Sequence, residues 1–134
     1  MSGTPLHLLE QIAAEETAAR TAGDVARSLL AGHPDLPVTG VKLMRYEGFE
    51  VHLRLPDADA VAAWADILAL GLRGVVPVRR LVEESSPASV FEHVTAVATV
   101  QGHRVRLYFC RILPEDEATA WREGRAAFGT GAVR

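Results

Sequence analysis

The stretch HVTAVATVQGHRVRLYF, residues 93–109, constrains the fold of this chain more than any other part of the sequence. Its side chains alternate between apolar and polar on both sides of Gln101-Gly102, a period of two that is typical of half-buried β-strands. A two-residue turn at Gln101-Gly102 places valine, alanine, leucine and phenylalanine on one side and arginine, threonine and tyrosine on the other. The same register sets His93 opposite Cys110. The sequence therefore predicts a β-hairpin with an apolar inner face and a polar outer face.

Another hairpin is predicted nearer the N-terminus, from strands at residues 41–46 and 49–55. The second of these strands alternates clearly and ends at a proline. A tight two-residue turn at Glu47-Gly48 sets Arg45 opposite Glu50, which is an attractive cross-strand pair.

The register of this first hairpin predicts apolar residues on both faces of its first strand. Met44 and Tyr46 lie on the same side as Phe49 and Val51, while Val41 and Leu43 point to the other side. Two outcomes remain open: the N-terminal helix covers Val41 and Leu43, or a partner chain does. A self-complementary dimer is the commonest form of the second outcome.

Helical spacing of apolar residues predicts three helices. Residues 5–32 form either one long helix or two short ones broken at Gly23. A second helix is capped by Asp57 or Asp59, and a third opens at Pro114 with three acidic residues in its first turn.

The predicted fold class is α+β, with a sheet that has helices packed over at least one face. The sheet is antiparallel, with about five strands from the two hairpins plus a lone strand at residues 75–84, where Pro77 favours an edge or an early strand position over a central one. Helices lie at the N-terminus, in the middle and at the C-terminus. The 134 residues form a single domain, with an N-terminal helical segment at residues 1–32 and a loose tail at residues 129–134.

Charge and composition exclude a generally cationic protein. The net charge is −3, so any attraction for nucleic acid or anionic lipid has to be local. Of the 14 basic residues only Lys42 is a lysine, and the chain is rich in alanine. A GC-rich coding sequence produces this skew, so an arginine carries less functional information here than usual.

Cysteine usage and hydropathy predict a cytoplasmic protein. Cys110 is the single cysteine, which excludes an internal disulfide and favours a reducing compartment. The N-terminus lacks the pattern of a secretion signal, and no apolar run reaches the about 18 residues that a membrane span needs. We expect no membrane partner.

Motifs for catalysis, metal or cofactor binding are not found in the sequence. The phosphate-binding and dinucleotide-binding glycine patterns are absent, and the histidines lack the spacing of a zinc site. His93 and Cys110 could meet across the hairpin, but a buried thiol beside a strand histidine is the favoured interpretation of that pair. The acidic pairs are explained as solvated charges and helix first turns. We therefore assign no catalytic residue, metal or cofactor.

The best candidate for ligand binding is the polar face that carries Arg104, Arg106 and Tyr108. Arg54 and His52 extend it if the two hairpins are neighbours in the sheet. Arginines beside an aromatic ring bind phosphates, carboxylates or RNA bases. The competing interpretation is the solvated side of a sheet. It is favoured because the sequence indicates no aromatic pair at stacking distance on this face.

The segments FEHVTAVATVQGHRVRLYF and DADAVAAWADIL resemble short uncharacterised proteins that are common in actinobacterial chromosomes and their mobile elements. The resemblance covers the middle two thirds of the chain. It implies no activity, ligand or site residue.

Three functions are consistent with these patterns. The leading hypothesis is a small non-enzymatic protein that binds another protein or itself as an accessory or regulatory module, with Val41 and Leu43 at the interface. The second is a binder of nucleic acid or another anionic ligand, using Arg104, Arg106, Tyr108 and Arg54. The third is a small enzyme of unrecognised type.

Overall fold

The protein is described by a computed structural model that covers residues 3–85 and 89–132. Its elements in chain order are α1 (Gly3–Gly32), β1 (Gly40–Arg45), β2 (Phe49–Arg54), α2 (Ala58–Leu72), β3 (Arg79–Ser85), β4 (Ser89–Val100), β5 (His103–Ile112) and α3 (Glu115–Ala132). The predicted α+β class, with helices at the N-terminus, in the middle and near the C-terminus, is confirmed.

The five strands form one sheet in the order β1-β2-β5-β4-β3. The sheet is mixed, so the prediction of a purely antiparallel sheet is wrong: β2 and β5, from different hairpins, pair in parallel. Alternation within each hairpin determines only the pairing inside that hairpin. The order between hairpins follows from burial, because β2 and β5 carry fully buried apolar residues and therefore lie at the centre. β3 lies at an edge, as predicted. It begins at Arg79 and not at residue 75, so Pro77 precedes the strand and does not take part in its pairing.

The β4–β5 hairpin has the predicted register. Ala96 faces Leu107 and Ala98 faces Val105, and the strands meet at the pair Val100 and His103. The two turn residues, Gln101 and Gly102, have φ values of 50° and 82°. Both lie in the left-handed region that a tight two-residue hairpin turn uses, which is why a glycine serves there.

The β1–β2 hairpin differs from its prediction by one residue. Arg45 pairs with Phe49 rather than Glu50, because three residues and not two form the connection, with Tyr46 N–H donating to Gly48 O at 2.9 Å. The Arg45 guanidinium contacts Glu15 of α1 instead. A shift of one residue turns every side chain of a strand to the other face.

As a result, Val41 and Leu43 lie opposite Leu53 and Val51, on the same face of the sheet. The prediction that they point to the opposite face is wrong. They remain 45% and 38% exposed on the edge strand, although α1 lies on their side of the sheet.

α1 is one continuous helix, so Gly23 does not break it. α2 begins at Asp57, whose side chain accepts from Ala60 N–H at 2.8 Å, and it ends at Arg73 in the left-handed conformation. α3 continues through Ala132, so residues 129–132, predicted as part of a loose tail, are helical. Residues 133–134 and most of the predicted loop between β3 and β4 lie outside the described residues. No helix in the described ranges combines the length and hydropathy needed to cross a bilayer.

All three helices pack against one face of the sheet. The main core joins α1 and α2 to residues such as Val51, Leu53, Val105 and Leu107, and Trp64 of α2 is fully buried within it. A smaller cluster joins α3 to the β3 end of the same face. We call this side the covered face and the opposite side, which the described helices leave uncovered, the open face.

Candidate functional site

The open face carries one side chain from every second strand position. Its members are Lys42 and Met44 of β1, Glu50, His52 and Arg54 of β2, Arg79, Leu81, Glu83 and Ser85 of β3, Ser89, Phe91, His93, Thr95, Val97 and Thr99 of β4, and Arg104, Arg106, Tyr108, Cys110 and Ile112 of β5. The side chains project from a rigid sheet, which fixes their spacing.

The pairing of β2 with β5 brings the four predicted ligand-binding residues onto this face. Arg54 lies opposite Tyr108, and His52 lies opposite Arg106. Arg104 precedes Arg106 by two residues on β5, so its side chain points to the same side of the sheet. The two hairpins are therefore neighbours, as the extension to Arg54 and His52 required.

β3 adds an arginine that the sequence did not indicate. Arg79 pairs with Thr95 on β4, which in turn pairs with Tyr108. Arg79, Arg104 and Arg106 line a depression of about 500 Å³ together with Thr95. Only the strand order brings Arg79 to this place, and no local sequence signal gives that order.

A second, shallower depression of about 720 Å³ lies on the other side of the same arginines. Arg104 and Arg106 line it together with Glu50 and the β1–β2 turn, including Tyr46. The two depressions therefore share two guanidinium groups, and they form one continuous surface across β2, β5 and β4. We call this surface the basic half of the open face.

Few carboxylates balance these charges. Glu50 Oε1 lies 3.1 Å from His52 Nε2, and its other oxygen lies 3.7 Å from Arg104 Nη1, which is a long ion pair. Within residues 3–85 and 89–132, Arg54, Arg79 and Arg106 form no ion pair. The basic half thus offers guanidinium donors that the folded chain leaves largely unused.

Three rings lie in a row beside these arginines. Tyr46 and His52 stack with ring centroids 6.2 Å apart at 28°, and His52 meets Tyr108 edge to face at 6.4 Å. The expectation of no aromatic pair at stacking distance is wrong, because the turn residue Tyr46 folds beside β2 and because β2 adjoins β5. Tyr46 is 60% exposed, so its ring is available to a ligand.

The far end of the open face is different in character. His93 lies opposite Cys110, as predicted, but its ring stacks on Phe91 at 6.2 Å. The interpretation of Cys110 as a buried thiol is wrong, because Cys110 is exposed on the open face. Its Nε2 atom lies 3.1 Å from a Glu83 oxygen without hydrogen-bond geometry. Leu81 and Ile112 are exposed here, so this end of the face is mainly apolar.

The covered face uses its arginines in another way. The Glu92 carboxylate is buried and accepts from Arg111 Nε at 2.7 Å and from Arg80. Arg111 also donates to both oxygens of Glu117, each at 3.1 Å. The hydrogen bond from Arg111 lowers the pKa of Glu92, Arg80 adds to this effect, and burial partly opposes it. Hydrogen bonds from Glu117 and Glu92 raise the pKa of Arg111.

Metal binding has no geometric support in the described ranges, where no three His, Cys, Asp or Glu side chains come together to hold an ion. Comparison with known proteins finds no matching family model, no matching curated protein and no matching solved structure, so the resemblance to actinobacterial proteins stays a prediction. The function is therefore argued from the open face itself.

Proposed function

We propose that this chain is a non-enzymatic, cytoplasmic binding module that holds an anionic ligand on the basic half of its open face. The observation that carries the proposal is the depression lined by Arg79, Arg104 and Arg106, which has no carboxylate among its described lining residues. Glu50 lines the adjoining depression instead, 3.7 Å from Arg104. Guanidinium groups bind phosphate and carboxylate through paired hydrogen bonds. The exposed thiol of Cys110 fits a reducing compartment.

Single-stranded nucleic acid is the ligand class that fits this surface best. Its phosphates match the arginines, and its bases stack on exposed aromatic rings such as Tyr46. Successive arginines on one face of β5 lie about 7 Å apart, since each residue of a strand advances the chain by about 3.4 Å. A flexible strand of nucleic acid can follow such a row across the sheet.

A labelled single-stranded oligonucleotide titrated with the full chain tests the proposal by fluorescence anisotropy. We expect binding that weakens as salt increases, and a loss of at least about tenfold in affinity for the double variant Arg104→Glu with Arg106→Glu. Arg20→Glu, which reverses one exposed charge on α1, is the matched control and should bind within about twofold of the wild type. Unchanged binding by the double variant would refute the site.

The same titration distinguishes the anionic ligands. Tyr46→Ala should weaken oligonucleotide binding while leaving competition by inorganic phosphate unchanged, because only bases use the ring. A polyglutamate peptide that binds as tightly as the oligonucleotide, with no effect of Tyr46→Ala, would instead identify an acidic protein as the partner.

The second candidate function is a protein-binding accessory or regulatory module that uses the apolar end of the open face. Exposed Leu81 and Ile112, with half-buried Phe91 nearby, favour it because contiguous exposed apolar residues mark interaction surfaces. A partner retained by the wild-type chain should be lost by the variant Leu81→Lys with Ile112→Lys and kept by Arg104→Glu with Arg106→Glu. The reverse pattern would exclude this end as the contact.

A further inference from the structure

The N-terminal part of α1 and the edge strand β1 together form an incomplete layer. Residues 5–17 of α1 are exposed throughout. β1 has a neighbour on one side alone, so one row of its backbone N–H and C=O groups faces outward.

The apolar stripe of α1 is longer than the sheet beneath it. Positions 8, 12, 15, 19, 22, 26 and 29 are separated by steps of four and three, which places them on one side of the helix. All are apolar except Glu15, which contacts Arg45 of β1. Ala22, Ala26 and Leu29 on this stripe are buried against the sheet. Leu8 and Ile12 continue the same stripe but are 51% and 54% exposed. The side of α1 that is buried against the sheet therefore continues, with exposed apolar residues, towards the N-terminus of the helix.

Contacts along α1 show where it leaves the sheet. Leu29 lines a depression together with Gln101 of the β4–β5 turn, the Thr21 hydroxyl lies 2.9 Å from His103 Nε2 at the start of β5, and Glu15 contacts Arg45 of β1. α1 thus crosses the sheet towards β1 and continues beyond it. Residues 3–14, which we call the overhang, extend for about 18 Å at 1.5 Å per residue. That length equals the width of three to four strands.

The opposite edge of the sheet has no such opening. β3 carries Arg79, Arg80, Glu83 and Glu84, and Glu84 forms ion pairs at 3.2 and 3.1 Å with two arginines of α3. Charges of this kind protect an edge from pairing. β1 has Lys42 as its one interior charge, with Val41 and Leu43 exposed beside it.

We propose that a second copy of this chain pairs antiparallel with β1, so that Leu43 lies opposite Leu43 and each overhang crosses the β1 strand of the other copy. A two-fold axis pairs the two β1 edges with each other and also places the apolar overhang of each copy over the β1 strand of the other copy. Val41 of one copy is exposed in the monomer, and Leu8 and Ile12 of the other copy pack over it in the dimer. The residues predicted as an interface, Val41 and Leu43, lie at its centre.

The charge pattern of β1 is compatible with this register and disfavours one centred on Lys42. Pairing centred on Leu43 sets Lys42 opposite Met44 and Val41 opposite Arg45, with no like charges facing each other. A register centred on Lys42 would oppose two lysines. The overhang and the 6 residues of β1 together approach the about 20 residues per side of a standard interface.

Sedimentation analysis of the full chain tests the proposal. We expect the wild type to be a dimer, and the variant Leu8→Glu with Ile12→Glu to raise the dimer dissociation constant at least tenfold while keeping the monomer's thermal midpoint. Leu70→Glu, a change at an exposed apolar position of α2, is the matched control and should stay dimeric. A wild-type chain that is monomeric at tens of micromolar would overturn the proposal.

Disulfide trapping tests the register. In a Cys110→Ser background, Leu43→Cys should cross-link two copies under mild oxidation, because directly opposed residues have Cβ atoms within reach of a disulfide. Met44→Cys, which faces Lys42 of the second copy, should cross-link far less. A dimer that fails to cross-link through position 43 would overturn the β1 pairing. The variant Arg104→Glu with Arg106→Glu should remain a dimer, so this result is independent of the anionic ligand.

Discussion

Arg79 and Arg80 are neighbours in the chain, yet they lie on opposite faces of the sheet and have opposite surroundings. Arg80 points to the covered face, where it contacts the buried carboxylate of Glu92. Arg79 points to the open face and lines a depression with Arg104 and Arg106. β5 repeats the pattern: Arg111 on the covered face bonds to two carboxylates, and Arg106 on the open face bonds to none among the described residues.

The comparison shows that alternation along the strands divides the arginines of the sheet into two sets, one on each face. On the covered face, Arg80 and Arg111 pair with the buried carboxylate of Glu92, and Arg111 also links the sheet to α3 through Glu117. Those on the open face retain unused donors. Nearly every basic residue of this chain is an arginine, so the residue type alone does not indicate a binding role. The indication comes from the face on which an arginine lies and from whether a carboxylate already pairs with it.

The largest difference between the faces is expected in the core. Leu107 is fully buried on the covered face, whereas the next residue, Tyr108, is half-buried on the open face. Leu107→Ala should lower the free energy of unfolding by about 2–5 kcal/mol, because it leaves a cavity in a packed layer. Tyr108→Ala should cost less, about 1 kcal/mol, because part of its ring already faces solvent. Urea denaturation measures both, and equal losses would mean that the open face is covered in solution.

A smaller effect is expected at the buried carboxylate of the covered face. Glu92→Gln should lower the free energy of unfolding by about 1–3 kcal/mol, because a neutral amide replaces the acceptor of two charged hydrogen bonds. Glu83→Gln, on the open face of β3, is the control and should change it by less than about 0.5 kcal/mol. A loss at Glu83 as large as that at Glu92 would remove the distinction between the faces.

The wild type and Glu92→Gln are also expected to differ in how their stability depends on pH. Because the folded state lowers the pKa of Glu92, its contribution is present at neutral pH and decreases as the pH falls through the ordinary carboxyl range towards the lowered value. The wild type should therefore exceed Glu92→Gln in stability at pH 7, and the difference should shrink in acid. A constant difference from pH 7 to pH 3 would contradict the ion pair.

The smallest change in stability is expected on the open face. Arg106→Gln should alter the free energy of unfolding by less than about 0.5 kcal/mol, since its guanidinium has no ion pair to lose among the described residues. Arg111→Gln should lower the thermal midpoint measurably, since it removes hydrogen bonds to Glu92 and Glu117. Calorimetry compares the two. A stability loss confined to Arg106→Gln would reverse the assignment.

Much of the fold could be predicted from local pattern. The β4–β5 register followed from alternation and from a turn whose length the glycine defined. The β1–β2 register was wrong because Tyr46-Glu47-Gly48 allows two turn lengths, and nothing in the strands themselves distinguishes them. A difference of one residue moved Val41 and Leu43 to the other face, which changed the candidate interface from a sheet face to a sheet edge.

The candidate site was predictable in part. Arg104, Arg106 and Tyr108 share a face because they share a strand, and Arg54 joined them on the condition that the hairpins adjoin. Arg79 and the stacked ring of Tyr46 could not be predicted, because they reach the site through pairing between strands far apart in the chain and through a turn conformation.

The sequence by itself determined the identity of most helices and strands, the β4–β5 hairpin and the alternation that separates polar from apolar side chains. These depend on neighbours within a few residues, where backbone geometry fixes a period of two or of 3.6. The tertiary structure decided the strand order, the parallel pairing of β2 with β5, and the faces on which the helices pack. Those depend on burying apolar area between distant segments, which no local period encodes. The strand order and the helix packing also determine which arginines pair with carboxylates and which remain available to a ligand.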